Sequence, residues 1–287
     1  MKPSGSTKIV KLIGYPVEHS RSPLMHNAAF QSLGLDFVYV LFSVKPPDLK
    51  EAVTGLRASN VAGANVTIPY KEEVMKYLDE ITSEAKFIGA VNTIHNREGK
   101  LIGYNTDGQG FITSLLVDGK IKLEGQKVFM MGAGGAGKAI AVKLAERGVE
   151  RLVITDKIVE RAESLVGKLR ENIPDCAVYA VAMRSKEFVE TVSESTLLVN
   201  ATPVGMNEGD PCLIDPNYLH KDLFIYDVVY NRETPLIAEA KKRGIKALGG
   251  IGMLLHQGAA SFEIWTGQKA PIEVMKNKIL EEAGSIN

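Results

Sequence analysis

The chain has 287 residues, more than one ordinary hydrophobic core accommodates, and its composition is that of a globular protein in two domains. Its 34 basic and 34 acidic residues cancel, so no net field draws it to nucleic acid or an anionic membrane, and a small neutral or locally paired ligand is expected instead. Cys176 and Cys212 lie far apart with no second Cys or His at metal-ligand spacing, so both are read as plain thiols and no metal is expected.

From Lys8 onward, short apolar runs alternate with longer amphipathic stretches, the pattern of an α/β protein. Ile9–Gly14 reads as a strand, and Ser22-Pro23 as a helix start with Ser as cap and Pro in the first turn. Phe37–Ser43 and Gly63–Val66 are predicted strands with a helix over Leu49–Ala58 between them. Two short helices are predicted between Lys71 and Ile88, then a hairpin of Asn92–Asn96 and Lys100–Tyr104 around Glu98-Gly99. A second unit starts at the strand Lys127–Met131. Further strands read at Leu152–Thr155, Ala177–Val181, Leu197–Asn200, Phe224–Val228 and Lys246–Leu248, with helices at Val159–Arg170 and Pro235–Arg243. That alternation implies a doubly wound parallel sheet with helices on both faces. Two final helices, Met253–Thr266 and Pro271–Ala283, are expected to return to the first domain. The expected division is 1–107, 108–250 and 251–287. The start of the chain is polar and no apolar run approaches the roughly 20 residues of a membrane span, so a cytoplasmic location is the default expectation.

The strand Lys127–Met131 runs into Gly132-Ala133-Gly134-Gly135-Ala136-Gly137 and then a helix. Glycines in that context bring backbone N–H groups and a helix N-terminus up to a pyrophosphate, the dinucleotide-binding arrangement. Asp156 ends the second strand about 20 residues further on, where a carboxylate can accept from both ribose hydroxyls and repels a 2′-phosphate. NAD is therefore expected over NADP, tempered by Lys157 and Arg161, either of which could meet a phosphate. The loop after a later strand, Asn200 to Met206, places Thr202, Val204 and Met206 at the carboxyl edge of the sheet, where nucleotides sit.

Polar residues concentrate in four other places: Glu18 to Ser22, Asn65 to Lys71, Asn92-Thr93, and Asn105-Thr106-Asp107. Each flanks a predicted strand. Hydroxyls, amides and single charges converging at strand ends suit a small polyhydroxylated ligand. Taken singly, each has a plainer reading: Ser20 or Ser22 as helix caps, Asn65 and Asn92 as turn formers, Asp107 as a cap for the helix ahead.

Five segments together resemble the shikimate and quinate/shikimate dehydrogenases: Gly14 to Pro23, Asn65 to Lys71, Gly89 to Thr93, Gly103 to Gly108, and Gly250 to Gln257. The resemblance runs from about Ile13 to Thr266. It implies an N-terminal α/β substrate domain, a Rossmann domain and C-terminal helices returning to the first. It further implies that Ser20 and Ser22, with Tyr230, hold the ring carboxylate, and that Asn65, Thr67, Lys71, Asn92, Asp107 and Gln257 meet the ring hydroxyls. Lys71 and Asp107 would be the catalytic pair, and Val228, Gly250 and Met253 join the expected cofactor set.

Physical chemistry agrees with such a pair. Oxidising a secondary alcohol requires a group that takes its proton or stabilises the developing alkoxide as hydride leaves. A lysine does either, and a neighbouring aspartate orients the ammonium and balances its charge. Rival readings are another two-domain dehydrogenase and a non-catalytic, ligand-sensing regulator of the same fold. The sequence leaves open monomer or homodimer, and shikimate or quinate.

Overall fold

Strand β1 (Lys8–Gly14) lies between β2 (Phe37–Ser43) and β3 (Val61–Val66), parallel to both. The sheet continues through β5 (Thr93–Arg97), β6 (Lys100–Tyr104) and the short β4 (Glu80–Ile81), in the order β2-β1-β3-β5-β6-β4. It is mixed, because β5 pairs antiparallel to both of its neighbours. The computed structural model describes residues 3–59 and 61–283. These form two units, one of the chain up to Gly110 with the segment from Leu254 onward, the other Phe111–Met253. The boundaries fall three residues beyond the expected 107/108 and 250/251, inside helices α4 (Asp107–Val117) and α9 (Ile251–Thr266).

In the first unit, β3 is buried along almost its whole length, as a central strand between covered faces must be. Helix α2 (Leu49–Ala58) buries Leu49, Val53 and Leu56, one stripe at helical spacing, against that sheet. The β5–β6 turn carries Glu98 at φ 54° and Gly99 at φ 87°, the left-handed pair that matches strand twist in a tight hairpin. Gly63 of β3 is required by its neighbour: a Cβ there would lie 2.4 Å from the Trp265 indole nitrogen, which donates to the Ile94 carbonyl at 2.9 Å. Helix α10 (Ile272–Ala283) packs on α1 (Ser22–Ser32), which brings the C-terminal segment into this unit.

Two expectations need correction here. Ser22 is the first residue of α1 rather than its cap; Arg21 holds that position, and the Ser20 hydroxyl accepts from the Ser22 N–H at 3.3 Å. Between Lys71 and Ile88 the chain forms a 3-10 turn (Glu73–Tyr77), β4, and the one short helix α3 (Ser83–Ile88). The Glu80–Ile81 pair is drawn into pairing with β6, which a local pattern of two residues does not announce.

The second unit is a six-stranded, fully parallel sheet. In chain order its strands are β7 (Lys127–Met131), β8 (Arg151–Thr155), β9 (Ala177–Ala180), β10 (Leu197–Asn200), β11 (Phe224–Asp227) and β12 (Lys246–Gly249). They lie side by side as β9-β8-β7-β10-β11-β12, the doubly wound order, which reverses direction between β7 and β10. Register brings the carboxyl ends level: Thr155, Met131, Asn200, Asp227 and Gly249 are successive partners across the sheet. Phe129, Val153, Leu198 and Ile225 build the core beneath that edge with Phe188 of α7 (Lys186–Ser193), a helix absent from the sequence reading. Among the described residues, no helix is long and apolar enough to cross a membrane.

Candidate active site

In the first unit a charged pair stands on a bed of amides and hydroxyls. Lys71 follows the turn after β3, with its carbonyl accepting from the Val91 N–H at 2.7 Å, so that its backbone is tied beside Asn92. Asp107 opens α4. The Asn105 side chain accepts from its N–H at 3.0 Å and donates to the Ala90 carbonyl at 2.9 Å, fastening the helix start to the same segment. The two side chains meet with Lys71 Nζ 2.6 Å from Asp107 Oδ2, their side chains 15 % and 5 % exposed.

Asn92 holds the other carboxylate oxygen. Its Nδ2 donates to Asp107 Oδ1 at 2.9 Å and to Thr106 Oγ1 at 2.8 Å, and reaches Gln257 Oε1 at 3.3 Å. Its Oδ1 accepts from the Thr106 backbone N–H at 2.8 Å. A backbone donor cannot rotate away, so this contact sets which end of the amide faces Asp107. Gln257 reaches the group because Gly110 lets α9 come close: a Cβ there would lie 2.6 Å from the Gln257 backbone nitrogen. Each Asp107 oxygen thus receives a donor, and the one from Lys71 is a charged hydrogen bond to a largely buried carboxylate.

Asn65 lies beside Asn92, buried at 5 % exposure. Tyr39 donates to its Oδ1 at 2.9 Å, and its Nδ2 is 3.1 Å from the Asn92 carbonyl, Thr93 Oγ1 and Ser261 Oγ. Ser261 also contacts Thr93 at 2.7 Å and Thr106 at 3.2 Å. Sequence reasoning missed both Ser261 and Tyr39. Ser261 stood four residues after Gln257 in an apolar helix, a spacing that puts both on one face and could have revealed it. Tyr39 sits in an apolar strand and carries no such signal. His26 is fully buried with its ring stacked on Tyr39 at 4.5 Å, and burial pushes the imidazole down to about 3.

Ser20 and Ser22 stand at the entry of α1, half-buried and buried respectively. Thr67 packs against Gly14, where a Cβ would come within 2.3 Å of its methyl group. Tyr230 belongs to the second unit and is half-buried.

The second unit holds a site made of backbone. Gly132 has φ +105° and a Cβ there would lie 2.8 Å from the Ala201 carbonyl oxygen; at Gly137 it would lie 2.1 Å from the Gly132 carbonyl oxygen. Above Gly134, the residue before helix α5 (Gly135–Glu146), nothing lies within 4 Å. Two glycines are thus demanded by the protein's own packing, and the third leaves room at the helix N-terminus for an anion. Gly135 and Ala136 are half-exposed there, and Ala133 is buried. The donor set and the open approach fit a dinucleotide pyrophosphate.

Asp156 is turned inward. One carboxylate oxygen accepts from the Ala133 N–H at 2.7 Å and the other from the Ile158 N–H at 2.9 Å. Lys157 and Arg161 are exposed. Thr202, Val204, Met206 and Val228 are half-buried along the carboxyl edge, while Gly250 and Met253 are buried. Gly250 is another close approach, with a Cβ position 2.0 Å from the Val228 carbonyl oxygen.

Comparison with known proteins places this arrangement. Residues 12–94 match the shikimate dehydrogenase substrate binding domain, residues 116–203 the shikimate/quinate 5-dehydrogenase model, and residues 250–280 the shikimate 5'-dehydrogenase C-terminal domain. The chain belongs to the shikimate dehydrogenase family. A shikimate dehydrogenase (NADP(+)) of Methanopyrus kandleri is 46 % identical over 96 % of both chains, and one of Alkaliphilus metalliredigens is 44 % identical over 98 % of this chain and 99 % of that one. The shikimate 5-dehydrogenase of Listeria monocytogenes, solved with shikimate and NAD, is 38 % identical, covers 96 % of this chain and 98 % of its own, and superposes with a TM-score of 0.86. The two-domain α/β architecture and the Rossmann unit are those of the family. The relatives' names favour an enzyme over a ligand-sensing regulator, and the expected preference for NAD finds no support in curated relatives named for NADP(+).

Proposed function

We propose that this protein interconverts shikimate and 3-dehydroshikimate with NADP as its usual cofactor. The observation that carries the reading is the Lys71–Asp107 pair at 2.6 Å, with Asn92 and Gln257 beside it in the first unit. When bound, the nicotinamide supplies or accepts the hydride. In the reducing direction the Lys71 ammonium gives a proton to the oxygen of the carbonyl being reduced, and in the oxidising direction Lys71 receives it. Asp107 keeps the ammonium aimed and accepts from a ring hydroxyl. Asn92 and Gln257 supply the paired donors and acceptors that vicinal hydroxyls need. Asn65 and Thr67 extend that surface, and Ser20 and Ser22 take the carboxylate through hydroxyls and the positive end of α1.

For the cofactor, the N-terminus of α5 at Gly134 would hold the pyrophosphate, and Thr202, Val204, Met206, Val228, Gly250 and Met253 would line the rest. Asp156 serves the glycine loop, since each of its oxygens accepts from a backbone N–H there. That leaves Lys157 and Arg161 to meet a 2′-phosphate, which supports NADP and agrees with the relatives' names.

Absorbance at 340 nm with the purified chain tests this. NADP+ should be reduced with shikimate, faster than NAD+ at equal concentration. No change with shikimate or quinate and either cofactor would overturn the activity, and faster reduction of NAD+ would overturn the cofactor reading alone.

A further inference from the structure

Asp227 ends β11 and is fully buried at the carboxyl edge of the second sheet, yet the proton transfer gives it no task. A carboxylate removed from water is costly unless donors replace its hydration. Three donors do so here, none of them a cation. Asn200 Nδ2 donates to Oδ1 at 2.9 Å, the Val229 N–H to the same oxygen at 3.0 Å, and Thr234 Oγ1 to Oδ2 at 2.7 Å. Burial nonetheless holds the carboxyl above its ordinary range, with the three hydrogen bonds opposing that shift.

What the carboxylate organises is the loop after β10. Asn200 Oδ1 accepts from the Thr202 N–H at 2.9 Å and from Thr202 Oγ1 at 2.7 Å, while its Nδ2 also donates to the Val204 carbonyl at 3.1 Å. Reversing that amide would set an NH2 against the Thr202 N–H, and an oxygen against both the Asp227 carboxylate and the Val204 carbonyl. Asp227, with the Thr202 N–H and the Val204 carbonyl, therefore holds the direction in which Asn200 faces, and Asn200 shapes the turn from Thr202 to Val204. The far side of the loop is keyed to the same group. Thr234, which donates to Asp227 and caps helix α8 (Pro235–Lys242), packs against Gly205, whose φ is +104° and whose Cβ position lies 2.8 Å from the threonine methyl. The start of this loop also walls the dinucleotide turn, through the approach of Gly132 to the Ala201 carbonyl.

We propose that Asp227 is a positioning residue for the dinucleotide: through Asn200 and Thr234 it holds residues 200–206 in the shape that receives the cofactor. The proposal rests on the reading that this loop contacts the cofactor. Asp227→Ala removes the acceptor that anchors both Asn200 and Thr234, loosening the loop between them. In the folded variant, the dissociation constant for NADPH, read by fluorescence titration without substrate, should rise tenfold or more. KM for NADP+ should rise with it, while KM for shikimate and kcat at saturating cofactor stay within twofold. Asp227→Asn should recover most of the affinity, because its oxygen can still accept from Asn200 and Val229. A merely structural role would lower the melting temperature and leave the NADPH dissociation constant of the folded protein unchanged, which would overturn the proposal. Should Asp227→Ala not fold, Asn200→Ala cuts the same link while leaving the carboxylate two donors, and unchanged NADPH affinity there overturns it equally. Hydrogen exchange of the wild-type protein separates the two readings. If NADPH fails to protect residues 200–206, the loop is no cofactor contact; if it protects them and Asp227→Ala binds normally, only the positioning role fails.

Discussion

The two candidate sites are built from opposite materials. In the first unit the ligand surface is side chain: a lysine, a carboxylate, and amides whose orientation is set by their neighbours. In the second it is backbone, shaped where Gly132, Gly137 and Gly250 leave no room for a Cβ and Gly134 leaves space open. A polyhydroxylated ring must be read group by group, so its site needs donors and acceptors at fixed points. A pyrophosphate is met by a row of N–H groups and a helix end, which any sequence supplies once the chain can approach closely. Substitutions should therefore act on chemistry in the first unit and on shape in the second.

The largest effect tests the first half of that contrast. Lys71→Met should lower kcat by about 10²- to 10⁴-fold with shikimate binding retained, measured by steady-state assay and calorimetry. Turnover near that of the wild type would show that the pair does not serve proton transfer. Gly137→Ala tests the second half. Its new methyl would press on the Gly132 carbonyl, 2.1 Å away, at a cost of about 1–3 kcal/mol, so NADPH affinity should drop about tenfold while shikimate affinity holds. An equal loss of both affinities would break the division of labour.

A third prediction concerns the imidazole stacked on Tyr39. His26 has an ordinary value of 6.5 and is pushed to about 3 when folded. Between those values the unfolded chain binds a proton that the native state refuses, so stability falls as pH drops below about 6.5 and is fully present above it. At pH 5 the loss is about 2 kcal/mol. His26→Leu should flatten the fall in urea midpoint between pH 7.5 and pH 5, and an unchanged slope would remove His26 as its cause. The smallest effect is expected from Lys157→Ala, which should weaken NADPH by about threefold and leave NADH untouched, because an exposed charge is well screened. Equal weakening of both cofactors would mean that Lys157 does not meet the 2′-phosphate.

The backbone site was the easier one to read from sequence. Glycines following a short apolar strand carry their meaning locally: Gly132 and Gly137 make close approaches, and Gly134 leaves the helix start open. Asp156 was noticed from sequence, but the direction of its side chain was not legible there. Its position at the strand end is local information, whereas its direction depends on the Ala133 and Ile158 N–H groups that hold it. In the side-chain site, Lys71 and Asp107 stood out only through the order of five motifs, since each alone had a plainer reading. Helix α7 and strand β4 escaped because short elements owe more to their partners than to their own pattern.

By itself, the sequence determined the alternation of strands and helices, the dinucleotide turn, and the residue types from which a polyol site could be made. Periodicity and glycine placement act over a few residues, so they survive without knowledge of the fold. Only the tertiary structure decided that Ser261 and Tyr39 bond to Asn65, that Asn92 faces Asp107 with its NH2, and that Asp156 turns to the loop. It also decided that Asp227 lies buried against Asn200. Hydrogen bonds take their partners from anywhere in the chain, and the direction of a polar side chain exists only once those partners are in place.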